Sequence, residues 1–213
     1  MKRIYKNLYQ HTVLNEDYNI SSHCYLLDSS RPLLVQTGGY VHVKELISEL
    51  KEVLGDRELA YIFVSHLGAD ECGGISEILF NYPNAEIICS ERMQRQFPEF
   101  GVDAVTIAVK GGDVMRGDDY DFYIVDYPSE PHLRSGILLF ERTNGIFFSS
   151  DLMRRAGGRN GEITDSVWRD EVAATGNRQI PNKTMLRGLH HELNKLSPTF
   201  VAVGHGVCLM LHE

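Results

Sequence analysis

Six side chains in this sequence could act together as a metal-binding set: His66, Asp70, Glu71, His132, Asp151 and His205. Imidazole nitrogens mixed with carboxylate oxygens suit iron, manganese or zinc. Their placement follows a pattern. Three apolar runs end in one of these residues, as Val64-Ser65-His66, Phe148-Ser149-Ser150-Asp151 and Val203-Gly204-His205, and His132 follows the strand-like Phe122 to Asp126 through Tyr127-Pro128-Ser129-Glu130-Pro131. Strand ends at one edge of a sheet are where loops hold functional groups on a rigid frame. A single histidine is more often a core or surface residue than a ligand; here the repetition at strand ends carries the reading. His23 and His42 lie outside the pattern and are expected to have no special role. His190 and His191 are sequence neighbours on a predicted helix, face different directions, and cannot form an i, i+4 ligand pair. Gly111-Gly112-Asp113 reads as a turn, because it lacks the Lys and Ser/Thr of a phosphate loop.

The elements that must position these residues can be read from hydrophobic period. Ser22 to Asp28 and Leu33 to Val35 read as strands, the second ending at Thr37-Gly38-Gly39, where glycine permits a sharp turn. Val43, Leu46, Ile47, Leu50 and Leu54 then recur at helical spacing, with Lys44, Glu45, Glu49 and Lys51 on the other side. Tyr61 to Val64 is a continuous apolar run, as expected of a strand buried on both faces. A helix is predicted from near Asp70, carrying Ile75, Ile78 and Leu79, and Ala85 to Cys89 returns as a strand, which makes a βαβ rhythm. The second half is β-rich: Ala104 to Val109, Phe122 to Asp126, Ile137 to Glu141 and Ile146 to Ser149, with a hairpin turn at Thr143-Asn144-Gly145. Residues 152 to 180 show no clear period and read as a long loop with one helix at most. Pro181 suits the first turn of a helix bearing Met185, Leu189, Leu193 and Leu196, and Phe200 to Val203 is the last core strand.

The 213 residues and 43% hydrophobic content suffice for one substantial core, so residues 1–213 are expected to form a single domain. A net charge of -8 argues against nucleic acid and anionic membrane as partners. The basic N-terminus is followed by polar residues, and no apolar run approaches the roughly 20 residues that span a bilayer. Cys24, Cys72, Cys89 and Cys208 include no Cys-x-x-Cys pair and read as small buried hydrophobes in a reducing compartment. A cytoplasmic protein is expected, with a homodimer compatible with the sequence.

The densest signal is His66-Leu67-Gly68-Ala69-Asp70-Glu71. It resembles the His-x-His-x-Asp-His signature of the metallo-β-lactamase superfamily, and more closely the His-x-Glu-x-Asp-His of its flavodiiron branch. The blocks "YIFVSHLGADECGGISEIL", "NAEIICSERM", "VKGGD", "YPSEPHLRSGILLFERTNGIFFSSDLM" and "VAVGHG" resemble successive parts of the flavodiiron diiron domain, in order, from Cys24 to Gly206. The resemblance implies an α/β fold, the metallo-β-lactamase-like four-layer αββα sandwich. It implies that His66 and His132 bind one metal, Asp70 and His205 the other, and that Asp151 bridges them. Two slots depart from the family pattern. Gly68 stands where the family has Glu, which is expected to leave that position to water or an exogenous ligand. Glu71 stands where the family has His, and is expected to add an oxygen donor to the second site. His66, His132 and Asp151 alone make a 2-His-1-carboxylate set of the kind that holds non-haem ferrous iron. Three carboxylates face four positive charges from two divalent ions, and a bridging hydroxide balances the remainder.

The resemblance favours two metal ions, iron first and zinc or manganese as alternatives, binding O2 or NO. Family members take electrons from FMN on a following flavodoxin domain. Since the sequence ends at Glu213, the expectation is a flavodiiron-like protein without FMN, of the oxygen-binding diiron kind, either a sensor or a reductase fed by a separate electron-transfer or signalling protein. A metal-dependent hydrolase of lactones, thioesters or phosphodiesters is the alternative. A degenerate scaffold without catalysis is the third.

Overall fold

The computed structural model describes residues 1–212. Strands β1 (Lys2–Tyr5), β2 (Leu8–Asn15), β3 (Ile20–Leu27), β4 (Leu33–Val35), β5 (Tyr61–Phe63), β6 (Glu86–Ser90) and β7 (Thr106–Val109) lie side by side in chain order. The first four pair antiparallel, and β4 to β7 pair parallel. Parallel neighbours require crossovers, and the helices α1 (Val43–Leu54), α2 (Ala69–Cys72), α3 (Ile75–Asn81) and α4 (Glu91–Gln96) lie in those connections. The second sheet comprises β8 (Val114–Arg116), β9 (Asp121–Tyr127), β10 (Gly136–Glu141), β11 (Ile146–Ser150), β12 (Ile163–Val167), β13 (Phe200–Val203) and β14 (Cys208–His212), in the spatial order β12-β14-β13-β11-β10-β9-β8.

Every residue of β4, β5, β10, β11 and β13 is buried. Burial on both faces means that each sheet meets the other on its inside and helices on its outside. The helix α1 buries Val43, Leu46, Ile47, Leu50 and Leu54, the stripe its spacing predicts. α3 lies beside it and α4 packs on β6 and β7; α5 (Trp168–Ala174) and α6 (Lys183–Leu193) cover the second sheet at β12 and β9. This is the expected four-layer αββα sandwich. Among the described residues no helix is long and apolar enough to cross a membrane.

Several elements differ from the sequence reading. The helix expected from Asp70 onward is broken into α2 and α3 at Gly73-Gly74. A side chain at Gly74 would sit 2.6 Å from both the Thr37 carbonyl oxygen and Val43 Cγ2, so the chain passes too close to the β4–α1 segment for any other residue. Residues 152 to 180 hold the strand β12 as well as α5; the polar Thr164-Asp165-Ser166 gives an edge strand no apolar period to read. Pro181 lies just outside α6, which is capped instead by the Asn182 side chain accepting from the Thr184 and Met185 amides. Cys24, Cys89 and Cys208 are buried as expected, but Cys72 is only half-buried and its thiol donates to the Gly68 carbonyl at 3.2 Å.

Candidate metal centre

All six sequence-selected residues meet at one end of the sandwich. His66 follows β5, Asp70 and Glu71 start α2, His132 lies in the β9–β10 loop, Asp151 directly follows β11, and His205 follows β13. The two sheets are tied together at this end. The Ile137 amide donates to the Ser65 carbonyl at 2.8 Å, and the His23 amide on β3 donates to the Gly204 carbonyl at 2.9 Å. At Ser150 the register of β11 against β13 shifts and φ is +48°. A bulge of this kind re-aims the chain beside a site, and here it turns Asp151 out of the strand.

The donors fall into two groups, His66–His132–Asp151 and Asp70–Glu71–His205, each with donor atoms within 4.8 Å of one another. Asp151 faces both. Its Oδ2 lies 3.0 Å from His132 Nε2 and 3.7 Å from His66 Nε2, while Oδ1 lies 2.9 Å from His205 Nε2. Asp70 Oδ2 lies 3.4 Å from His205 Nε2 and accepts from Ser22 Oγ at 3.2 Å. The His66 and His132 rings face each other with centroids 3.6 Å apart. The Gly68 position, expected to be open, is occupied by the end of the Glu71 side chain.

Hydrogen bonds behind the imidazoles decide which nitrogen faces the centre. His205 Nδ1 donates to the Ser21 carbonyl at 2.9 Å, which leaves the Nε2 lone pair toward the carboxylates. His66 Nδ1 bonds Ser65 Oγ at 3.1 Å and Ser150 Oγ at 3.4 Å; the two hydroxyls are 2.8 Å apart, and the Gln36 amide reaches both. Gln36, Ser65 and Ser150 are all buried, so the network holds the ring by bonds that water cannot replace cheaply. His23 is also structural. It is 1% exposed, donates from Nε2 to the Gly206 carbonyl at 2.7 Å and accepts at Nδ1 from Thr12 Oγ1, so it anchors the loop that carries His205.

Sequence reasoning passed over Gln36, Ser65, Ser150 and His23, and expected nothing special of His23. Ser65 and Ser150 each directly precede a proposed ligand, which is a usable signal. Gln36 and His23 reach the site from the end of β4 and from β3, respectively, only through the fold.

Electrostatics show how the donor set behaves without cations. Burial, then the neighbouring Asp70 charge, pushes the Glu71 carboxyl up to about 10. Burial likewise lowers His66 to about 4, against the opposing Asp151 charge. Burial would also raise Asp151, but the imidazoles of His132 and His205 outweigh it and hold that carboxyl well below the usual range. On His205 burial opposes the charge, and Asp151 overcomes it and raises the imidazole. Buried Glu71 thus stands between the half-exposed Asp70 and the charged Asp151, and without cations it is the acid that favours its protonated form. Asp151 Oδ1 has no hydrogen bond although an imidazole nitrogen is 2.9 Å away. A buried carboxylate oxygen close to an imidazole nitrogen that is not aligned to bond it, in a neutral-imidazole and carboxylate set, fits a site shaped for metal ions. The donors open onto a cavity of about 630 Å³ whose other walls include Tyr18, Ile20, Leu67, Arg154 and Arg155.

The fold and this donor arrangement define a domain of the metallo-β-lactamase type. A family model described as ODP family beta lactamase matches residues 20–206, and the chain belongs to that family. It is similar to anaerobic nitric oxide reductase flavorubredoxins: 21% identical over 210 residues to that of Pectobacterium atrosepticum, covering 92% of this chain and 40% of that protein. To that of Salmonella typhi it is 22% identical over 147 residues, covering 66% and 29%. The chain therefore spans less than half the length of these relatives. Among solved structures, the rubredoxin oxygen:oxidoreductase of Desulfovibrio gigas superposes with a TM-score of 0.82 at 15% identity, covering 98% of this chain and 57% of that one. The flavodiiron core from Synechocystis sp. PCC6803 gives 0.77 at 15% identity, covering 95% and 54%. The expected flavodiiron type of fold is the one these likenesses show.

Proposed function

We propose that this chain is a diiron domain that binds O2 or NO, with His66 and His132 on one ion, Asp70, Glu71 and His205 on the other, and Asp151 shared. The observation that carries the reading is the position of Asp151, whose two oxygens face opposite donor groups. When bound, ferrous iron supplies the electrons and open coordination positions that such oxidants require. The protein's own part is positional. Ser65, Ser150 and the Ser21 carbonyl fix the imidazoles, and the cavity beside Leu67 and Ile20 admits a small ligand. The names of the relatives favour reduction over sensing, with electrons from a separate donor. We read the chain as one such domain working in the cytoplasm, where its four free thiols stay reduced.

The test is to load the protein with ferrous iron anaerobically, then add O2 or NO in separate experiments. The expected result is an iron-dependent absorption change with each oxidant. A spectrum indifferent to both, with ester hydrolysis by the zinc-loaded protein, would replace this reading with a hydrolase.

A further inference from the structure

Gly68 is not required by its backbone. Its φ of -135° and ψ of 158° are extended, a conformation any residue adopts. It is required by space. A Cβ at this position would lie 1.9 Å from Glu71 Oε2, 3.1 Å from Glu71 Cδ and 3.2 Å from His66 Nε2. The Glu71 carboxylate therefore occupies the volume that a side chain at position 68 would need. Its two oxygens also point to opposite sides of the centre, with Oε2 3.4 Å from His66 Nε2 and Oε1 4.0 Å from His205 Nε2.

We propose that Glu71 takes over the coordination position that Gly68 gives up, so that its carboxylate reaches both ions and forms a second bridge beside Asp151. The proposal rests on the two-metal reading above. Glu71 is 2% exposed, and its carbonyl accepts from the Thr37 amide at 2.8 Å, so α2 is pinned at this residue and the side chain is held at the floor of the cavity. A carboxylate has moved three residues along the chain, from the loop after β5 to the first turn of α2, while the anionic count is preserved. Two carboxylates shared between two ions couple their binding, because the loss of either carboxylate takes a ligand from both ions.

The test is anaerobic ferrous titration, with chelator competition, of the parent, Glu71→Gln, Gly68→Ala and the double variant. A Cβ at residue 68 meets first the far end of the flexible Glu71 side chain and lies 3.2 Å from His66 Nε2, so Gly68→Ala should displace the Glu71 carboxylate toward the cavity and leave the backbone in place. The parent should take up two ions. Glu71→Gln and Gly68→Ala should each weaken both ions by about tenfold or more, and the double variant should be no weaker than Glu71→Gln. If Glu71→Gln keeps one ion at parental affinity, Glu71 serves a single ion and the bridge is refuted while the two-metal reading stands. If the parent itself binds fewer than two ions, the two-metal reading fails and takes the bridge with it. Circular dichroism of the metal-free proteins checks folding; should Glu71→Gln not fold, Glu71→Asp, which keeps the charge but shortens the reach, carries the same comparison.

Discussion

The two donor groups are built differently. His66 and Asp151 follow strand ends and His132 stands in the β9–β10 loop, and their side chains are 3%, 18% and 16% exposed. Behind His66 stands a buried polar network that fixes its ring. On the other side, Asp70 and Glu71 stand on the short helix α2, and the Asp70 side chain is 40% exposed with a single hydroxyl, Ser22, bonded to it. His66 in the first group is held by a buried network of side-chain hydroxyls that persists without a metal; the second group fixes His205 through one backbone carbonyl and sets two acids side by side, whose crowding cations or protons relieve. Pre-organisation and charge are thus divided between two halves of one centre, and Asp151 belongs to both.

That division can be broken at three points of decreasing effect. Asp151→Ala removes the proposed shared ligand, and elemental analysis should find both ions gone. If either group keeps its ion at full occupancy, the halves are independent. Ser65→Ala removes the nearer hydrogen bond to His66 Nδ1 and should weaken the first ion by about tenfold, as is usual for partners that orient metal-binding imidazoles. The loss, read by competitive titration, should be larger there than at the second ion; an equal loss at both would erase the distinction between the groups.

The third point is pH, and its sign follows from the two halves. Folded Glu71 holds a proton up to about pH 10 where the unfolded chain releases it near 4.5. Its contribution is therefore full below 4.5 and is lost as pH rises toward 10. His66 works oppositely: its folded value of about 4 lies below 6.5, so its contribution is full above 6.5 and is lost as pH falls toward 4. The metal-free protein should lose stability from about pH 6.5 to pH 10, and Glu71→Gln should flatten that limb. Urea unfolding across pH measures it. An unchanged slope in the variant would mean that Glu71 is not the buried acid in question.

How much of this could be read from the residues depends on where the information sits. The strand-end ligands were legible because an apolar run and its terminal His or Asp are adjacent in sequence, and α1 because its five buried positions obey one period. The proposed donor set was also legible through the ordered blocks from Cys24 to Gly206. The outer strands β1, β2, β8 and β14 were not, since edge and mixed-burial strands carry no clean alternation. Nor could spacing show that Glu71 fills the place of a residue at 68. That fact lies in the path of a side chain, and the same two letters read in sequence as a vacancy and a substitution.

The central claim is a pair of ions spanned by Asp151. Anomalous diffraction at the iron edge, on crystals loaded anaerobically, tests it most directly. Two peaks should appear about 3.5–4 Å apart, as in two-metal sites generally, one on the His66–His132 side of the Asp151 carboxylate and one on the Asp70–His205 side. A single peak, or iron bound away from Asp151, would contradict it.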